Sequence, residues 1–301
     1  MRVSVIDLGT FSAILLIAET RRSKLVPIVE DRATVDMSYV RGRTLSAQAL
    51  DRAARAIQKF SKVIVDCNVE KCQIVATAAL RHATNRDTAL RKLHAVTREH
   101  IRVLSGKQEA MFSARGAIAG LKRTPANPLI VDIGGGSTEI LNPSASVFRG
   151  LPIGAVWATD QWRVGAPRGC QRRELHFLAS AEKAALDLDA SALGTFGGVI
   201  GVGGTITTLA AIEAGLSQFD VKEVHGRVLT SEWIGATAAQ LSASPERRIK
   251  QLVPFDTSRS RVLLAGTYLW SAVLNRLNID RVTVSARGLR WGVAAHLAGT
   301  P

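Results

Sequence analysis

The sequence is short of most features that would declare a function. It has only three cysteines, Cys67, Cys72 and Cys170. They are too few and too irregular for a disulfide framework, and no C-x-x-C pair exists to begin a zinc site, so a reducing, cytoplasmic setting is expected. Aromatic residues make up 5% of the chain, which counts against single-stranded nucleic-acid binding through base stacking. There is no G-x-x-x-x-G-K-[ST] loop, and after Gly201-Val-Gly203 the third glycine of a dinucleotide fingerprint is replaced by Ile206, which disfavours nicotinamide and flavin cofactors. No G-x-S-x-G elbow occurs, which argues against acyl transfer through serine, and the six histidines form no H-x-x-x-H pair. The apolar run Leu8 to Ala18 follows Asp7 and is too short, without a small-residue cleavage pattern, to read as a signal peptide. The uncharged stretch Ala190 to Ile212 is long enough to cross a bilayer, but its six glycines suggest a broken strand, loop and helix instead. No membrane partner is expected.

What the chain has in excess is positive charge. Against 25 acidic residues stand 39 Lys and Arg, a formal net charge of +14, so an anionic partner is indicated. Most of that excess, +11, precedes residue 130, where 22 basic residues face 11 acidic ones. With 301 residues, 47% of them hydrophobic, the chain has ordinary globular composition and a length suited to two domains.

Arg2 to Asp7 reads as a strand, Leu8-Gly-Thr10 as a tight turn, and Ile14 to Ala18 as a returning strand. Ala53, Ile57, Phe60 and Ile64 recur at helical spacing, Gln73 to Thr77 is strand-like, and Ala89 to His100 is again helical in period. Ile101 to Leu104 predicts a strand leading into Ser105-Gly-Lys-Gln108, a capping box that places Glu109 at the start of a helix. A polar, proline-containing stretch from Lys122 to Pro128 suggests a domain boundary, giving domains over 1–124 and 125–301. Beyond it, Val131-Asp132-Ile-Gly134-Gly-Gly136-Ser-Thr138-Glu139 repeats the opening pattern of strand, acid, glycine turn, hydroxyl and strand. The repeat implies an internal duplication. A third glycine turn, Gly201-Val-Gly203-Gly204-Thr205, leads into a helix from Ile206 to Ala214.

Glycine turns let backbone N–H groups approach phosphate oxygens, and neighbouring hydroxyls add donors. An acid beside such a turn repels phosphate unless it holds a cation, so Asp7, Asp132 and Glu139 suit Mg²⁺ ligation directly or through water; ordinary turn chemistry accounts for Asp7 and Asp132 equally well taken singly. Glu109 in a first helical turn is favourable with the macrodipole and needs no catalytic role on spacing alone. Arg81 is either a planar fork for phosphate or a solvated loop residue.

In order along the chain, Asp7-Leu-Gly-Thr10, Val75-Ala-Thr77-Ala-Ala-Leu-Arg81, Leu104-Ser-Gly106-Lys-Gln-Glu109-Ala110, Val131 to Glu139, Leu151-Pro-Ile-Gly154, Gly201 to Thr205, Val224-His225-Gly226 and Gly288-Leu289-Arg290 resemble the Ppx/GppA family of exopolyphosphatases and guanosine pentaphosphate phosphohydrolases. The resemblance implies the α/β actin-like, sugar-kinase-like ATPase fold: two domains, each a mixed sheet flanked by helices, with an interdomain cleft. A last helix from about residue 286 would return to domain one. It implies Glu109 as the base that activates water, and Asp132 and Glu139, with Asp7, around a Mg²⁺ cofactor. Gly9, Thr10 and Ser12, Gly134, Gly135, Gly136, Ser137 and Thr138, and Gly203, Gly204 and Thr205 would hold phosphates, with Arg81 as a further ligand. Glu139 is also expected to take part in catalysis.

Three positions depart from the family pattern: Phe11 where Asn is common, Arg261 where Asp is usual, and Trp291 where Glu is usual. The expected function is an exopolyphosphatase, active as a cytoplasmic homodimer. Its alternatives are guanosine pentaphosphate hydrolysis by the same chemistry, a non-catalytic sensor of polyphosphate or alarmone, and, on charge alone, a nucleic-acid-binding module. No nucleic-acid partner is expected.

Overall fold

The computed structural model describes residues 1–39, 42–165 and 190–300; Cys170 and His176 lie outside them. The chain divides into two compact units, Met1–Gly116 with Gly288–Pro301, and Ala117–Arg287. The division falls at Gly116 and Ala117 instead of 124 and 125, and the closing segment belongs to unit 1 from Gly288.

Unit 1 begins with β1 (Arg2–Leu8), β2 (Ser12–Arg21) and β3 (Lys24–Thr34), crosses through α1 (Ala47–Asp66) to β4 (Lys71–Ala76), and passes α2 (Ala78–Arg81) and α3 (Arg86–His94) to β5 (Ile101–Val103) and α4 (Gly106–Ile118). Its sheet has the order β3-β2-β1-β4-β5, antiparallel between the first three strands and parallel after β1. The expected stripe on α1 is present: Ala53, Ile57 and Phe60 are buried against Ile6, Leu15 and Ile74 in one core. On the other face Val3, Val5 and Leu16 pack with Leu289, Trp291 and Val293 of the last helix, α11 (Leu289–Ala298). Glycines let α4 and α11 touch backbone to backbone, since a Cβ on Gly116 would strike the Gly288 carbonyl and one on Gly292 the Phe112 carbonyl. That contact ties the C-terminal segment to unit 1.

Unit 2 repeats the plan. β6 (Pro128–Ile133), β7 (Thr138–Asn142) and β8 (Val147–Leu151) form an antiparallel meander, followed by α5 (Ala155–Gly165), β9 (Gly198–Val202) and α6 (Gly204–Glu213). Next come α7 (Val221–Val224), β10 (Val228–Thr230), α8 (Ser231–Ala243), α9 (Glu246–Leu252), α10 (Ser260–Arg276) and β11 (Arg281–Val284). The sheet order is β10-β11-β9-β6-β7-β8. Read from β8, it matches β3-β2-β1-β4-β5 strand for strand with β10 added at the edge, so the repeat seen in the sequence is a repeat of topology. Its core gathers Val131, Ile140, Ile206 and the fully buried Trp270.

One local expectation differs. α3 ends at His94, not His100, because the β-branched Val96 and Thr97 follow, and the Thr97 hydroxyl accepts from the Glu99 N–H in a local turn that competes with the helix. Among the described residues no helix is long and apolar enough to cross a membrane.

Candidate active site

In unit 1 the first glycine turn joins β1 to β2. Gly9 N–H donates to the Ser12 carbonyl at 3.0 Å. The Thr10 carbonyl accepts from Met37 N–H, and the Phe11 carbonyl from Val35 and Asp36. The peptides are trans, so carbonyls drawn to one side send the following N–H groups of Phe11 and Ser12 to the other. Successive N–H groups turned to one side are what an anion-binding backbone nest requires. Thr10 is buried and its Oγ1 has no hydrogen-bond partner, a cost that an oxyanion seated in the turn would remove.

The second turn is built alike. Gly134 N–H donates to the Ser137 carbonyl at 3.0 Å, and the Gly134 and Gly135 carbonyls accept from Ala155, Val156 and Trp157 at the start of α5. The first N–H groups of α5 are thereby satisfied, and those of Gly135 and Gly136 face the opposite way. Gly154 makes this possible, because a Cβ there would lie 2.5 Å from the Gly135 carbonyl carbon and 2.6 Å from the Gly134 oxygen. The third turn lies against the second. Gly203 has φ of +103°, and a Cβ on it would sit 2.5 Å from the Ile133 oxygen and 3.2 Å from Asp132 Oδ1. Thr205 is buried at the start of α6.

Carboxylates distinguish the two copies. Asp132 stands directly opposite Glu139 in the β6–β7 ladder, so the two side chains share one face, and Glu139 is 2% exposed. Like charges in that position are unfavourable unless a cation lies between them. In unit 1 the corresponding partner of Asp7 is Ile14, so that hairpin brings no second carboxylate to it. Among the described residues no group of three or more His, Cys, Asp or Glu side chains is placed to hold a metal ion. Taken by their chemistry alone, the two oxygen-bearing side chains of Asp132 and Glu139, opposed across one ladder, suit a hard cation that takes its remaining oxygens from water and phosphate, as Mg²⁺ does.

The expected base has a prepared setting. Ser105 and Gln108 form the reciprocal capping box, Gln108 N–H to Ser105 Oγ at 3.2 Å and Ser105 N–H to Gln108 Oε1 at 3.0 Å. This fixes the start of α4 and with it Glu109. Arg81 closes α2 and is not a loop residue; its Nη1 donates to Glu109 Oε2 at 2.6 Å and to the Leu104 carbonyl at 3.1 Å. Its Nε donates to His82 Nε2 at 3.4 Å, which requires a neutral imidazole. Burial first, then the Arg81 and Arg43 guanidiniums, hold the His82 pKa below its ordinary value. Tyr39 steadies the same helix by donating its hydroxyl to the Ala78 and Ala79 carbonyls.

One residue at the turns has no counterpart among those expected from sequence. Arg259 presses its guanidinium against Gly204, where a Cβ would overlap it, and pairs with Asp256 at 3.4 Å. The only sequence signal for it is its place two residues before Arg261. Arg261 itself faces Asp160 at 4.0 Å, and Trp291 is a core residue of unit 1, 3% exposed.

A model of the Ppx/GppA phosphatase family matches residues 16–300. Exopolyphosphatase 2 of Mycobacterium tuberculosis is 28% identical over 99% of both chains. A guanosine-5'-triphosphate,3'-diphosphate pyrophosphatase of Pseudoalteromonas translucida is 27% identical over 96% of this chain but 58% of its own length. A bifunctional 3-dehydroquinate synthase/phosphatase of Fusobacterium nucleatum is 27% identical, and the chain spans 44% of it. Among solved structures, the Ppx/GppA family member of Aquifex aeolicus superposes with a TM-score of 0.79 at 29% identity, covering 99% of this chain and 98% of that one. Both units have the actin-like architecture of that family.

Proposed function

This chain belongs to the Ppx/GppA phosphatase family, and we propose that it is a Mg²⁺-dependent exopolyphosphatase that releases orthophosphate from the ends of inorganic polyphosphate. Hydrolysis of a phosphoanhydride needs an oriented water, a base within reach of it, and donors for the phosphoryl oxygens. Glu109 accepts the proton of the attacking water, and Arg81 fixes the carboxylate and contacts the phosphoryl group. The backbone N–H groups and hydroxyls of the glycine turns donate to phosphate oxygens. Asp132 and Glu139 hold the metal, which when bound neutralises charge on the phosphoryl oxygens. No covalent intermediate is needed.

The strongest support for an enzyme is the Arg81–Glu109 pair, a carboxylate anchored by a guanidinium at 2.6 Å in the unit that carries the first turn. The exopolyphosphatase and the nucleotide pyrophosphatase are about equally similar to this chain, at 28% and 27% identity, so the preference for polyphosphate rests on charge. The +14 charge suits a long polyanion. Phosphate release from long polyphosphate, short polyphosphate and guanosine pentaphosphate, with and without Mg²⁺, tests this directly. Release from polyphosphate alone or foremost is expected. Preference for the nucleotide would reassign the substrate, and no release from any of the three by folded protein would contradict an enzyme.

A further inference from the structure

The first glycine turn leans on a segment that has its own anchor. Val35, Asp36 and Met37 follow β3. Val35 and Asp36 give their N–H groups to the Phe11 carbonyl, each at 3.0 Å, and Met37 gives its N–H to the Thr10 carbonyl at 2.6 Å. One side chain takes the carbonyls of the same segment: Arg52 of α1 donates from Nε to the Val35 oxygen at 2.7 Å and from Nη2 to the Asp36 oxygen at 2.8 Å. Asp36 has φ of +43°, a region that side chains enter at a cost, so its surroundings must hold it there. Arg52 supplies two of the bonds that do so. The helix under it is fixed in turn by its Ser46 cap and by Ala49, Leu50 and Ala53, all buried.

The peptides are trans, so the C=O and N–H of one peptide unit point in opposite directions and these bonds join end to end. One line runs from Arg52 Nε to the Val35 carbonyl, then from Asp36 N–H to the Phe11 carbonyl, and ends at the Ser12 N–H. The other runs from Arg52 Nη2 to the Asp36 carbonyl, then from Met37 N–H to the Thr10 carbonyl, and fixes the Thr10–Phe11 peptide. Each bond in such a line polarises the next, so a cation at its head strengthens the donor at its tail. Ser12 is also held at its side chain, where Oγ accepts from Arg32 Nε at 2.9 Å. Asp7 stands two residues before Gly9, so a phosphoryl group at this turn meets a carboxylate. Positive charge at the head of both lines offsets part of that repulsion.

We propose that Arg52 is a positioning residue of the Gly9–Ser12 turn: acting through Val35, Asp36 and Met37, it orients the two turn peptides and strengthens their donation to phosphate without touching the ligand itself. This rests on the reading that the turn donates to phosphate, and it deepens that reading by naming what holds the turn in place.

The test uses the full chain with inorganic phosphate as the probe, and compares wild type, Arg52→Gln, Arg52→Lys and Phe60→Leu, the last a change in the core of unit 1. Melting temperature, phosphate affinity by calorimetry, the Ser12 amide proton in NMR, and KM and kcat for polyphosphate are measured for each. Arg52→Gln is expected to weaken phosphate binding about three- to tenfold, the net worth of one hydrogen bond. It should raise KM by a similar factor while kcat changes far less, and move the Ser12 amide proton upfield as that donor weakens. Arg52→Lys keeps the charge but not the fork, and should fall between. Phe60→Leu should lower the melting temperature and leave phosphate affinity, KM and the Ser12 signal as in wild type. Wild-type phosphate affinity in folded Arg52→Gln, or an equal change of affinity and KM in Phe60→Leu, would overturn the proposal. Should Arg52→Gln fail to fold, wild-type affinity and an unmoved Ser12 amide in Arg52→Lys would do so. Arg52-dependent phosphate binding without polyphosphate hydrolysis would leave this proposal standing while removing the exopolyphosphatase assignment.

Discussion

Arg81 Nη1 and Glu109 Oε2 lie 2.6 Å apart, with side chains 15% and 11% exposed. A helix terminus supplies the cation, and a capped helix start supplies the anion. Neither residue can shift without disturbing the other, and the same guanidinium also binds the Leu104 carbonyl. The carboxylate is thereby oriented before substrate arrives, the preorganisation that general-base catalysis requires.

Replacing Arg81 should therefore affect both activity and folding. Arg81→Ala removes the cation beside a nearly buried carboxylate and is expected to cost about 3 kcal/mol of stability, measured by urea unfolding. Arg81→Lys keeps the charge but loses the fork, so it should retain most of the stability while phosphate release falls on the order of a hundredfold. Full activity in Arg81→Lys would mean that fork geometry does not matter.

His82 gives the pair a pH dependence. Its Nε2 accepts from Arg81 Nε, and its pKa is lowered by burial and by Arg81 and Arg43. A histidine with a depressed folded-state pKa favours folding as the neutral form. Its contribution is complete above the ordinary value near 6.5 and is lost as pH falls through the lower folded value. Activity should thus decline as pH falls below the ordinary histidine range, and the His82 ring signals in NMR should titrate below 6.5. A midpoint at or above that value would contradict the arrangement.

Gly154 tests the second turn without touching any charged group. In Gly154→Ala the added carbon meets backbone atoms 2.5 to 2.6 Å away, which cannot yield as a side chain would. A loss of about 1–3 kcal/mol is expected on chemical denaturation, with weaker phosphate binding in whatever remains folded. Wild-type stability and phosphate affinity would show that the α5 start is not what shapes the Gly134–Ser137 turn.

Asp132 and Glu139, opposed across one ladder, should respond to metal as a unit. Glu139→Gln and Asp132→Asn each keep the side chain's shape while removing one negative charge. Mg²⁺-dependent thermal stabilisation and Mg²⁺ stimulation of phosphate release should both disappear. An unchanged Mg²⁺ response in both variants would place the metal elsewhere.

Features carried by contiguous residues are legible in the sequence. The acid-glycine-hydroxyl repeat marks two hairpins that share the Gly9-to-Ser12 and Gly134-to-Ser137 bond, and S-x-x-Q marks the start of α4. Partners that reach a turn from a remote element leave no local signal. Arg32 arrives from β3 and Arg259 from just before α10, and in a chain with 39 basic residues nothing singles them out. Arg81 reads as a loop residue because a helix as short as Ala78–Arg81 shows no periodicity. The division at Gly116 is likewise hidden, because it depends on a backbone contact between α4 and a helix far away in sequence.

The most direct test of the account is single-turnover phosphate release from polyphosphate by Glu109→Gln in saturating Mg²⁺. The substitution keeps the shape of the side chain and its bond from Arg81 but removes the base. The rate is predicted to fall by about 10²- to 10⁴-fold, with the protein still folded, its melting temperature lowered by the loss of the Arg81 counter-charge, and inorganic phosphate affinity no weaker than wild type. A rate within a few-fold of wild type would contradict Glu109 as the group that takes the proton from water.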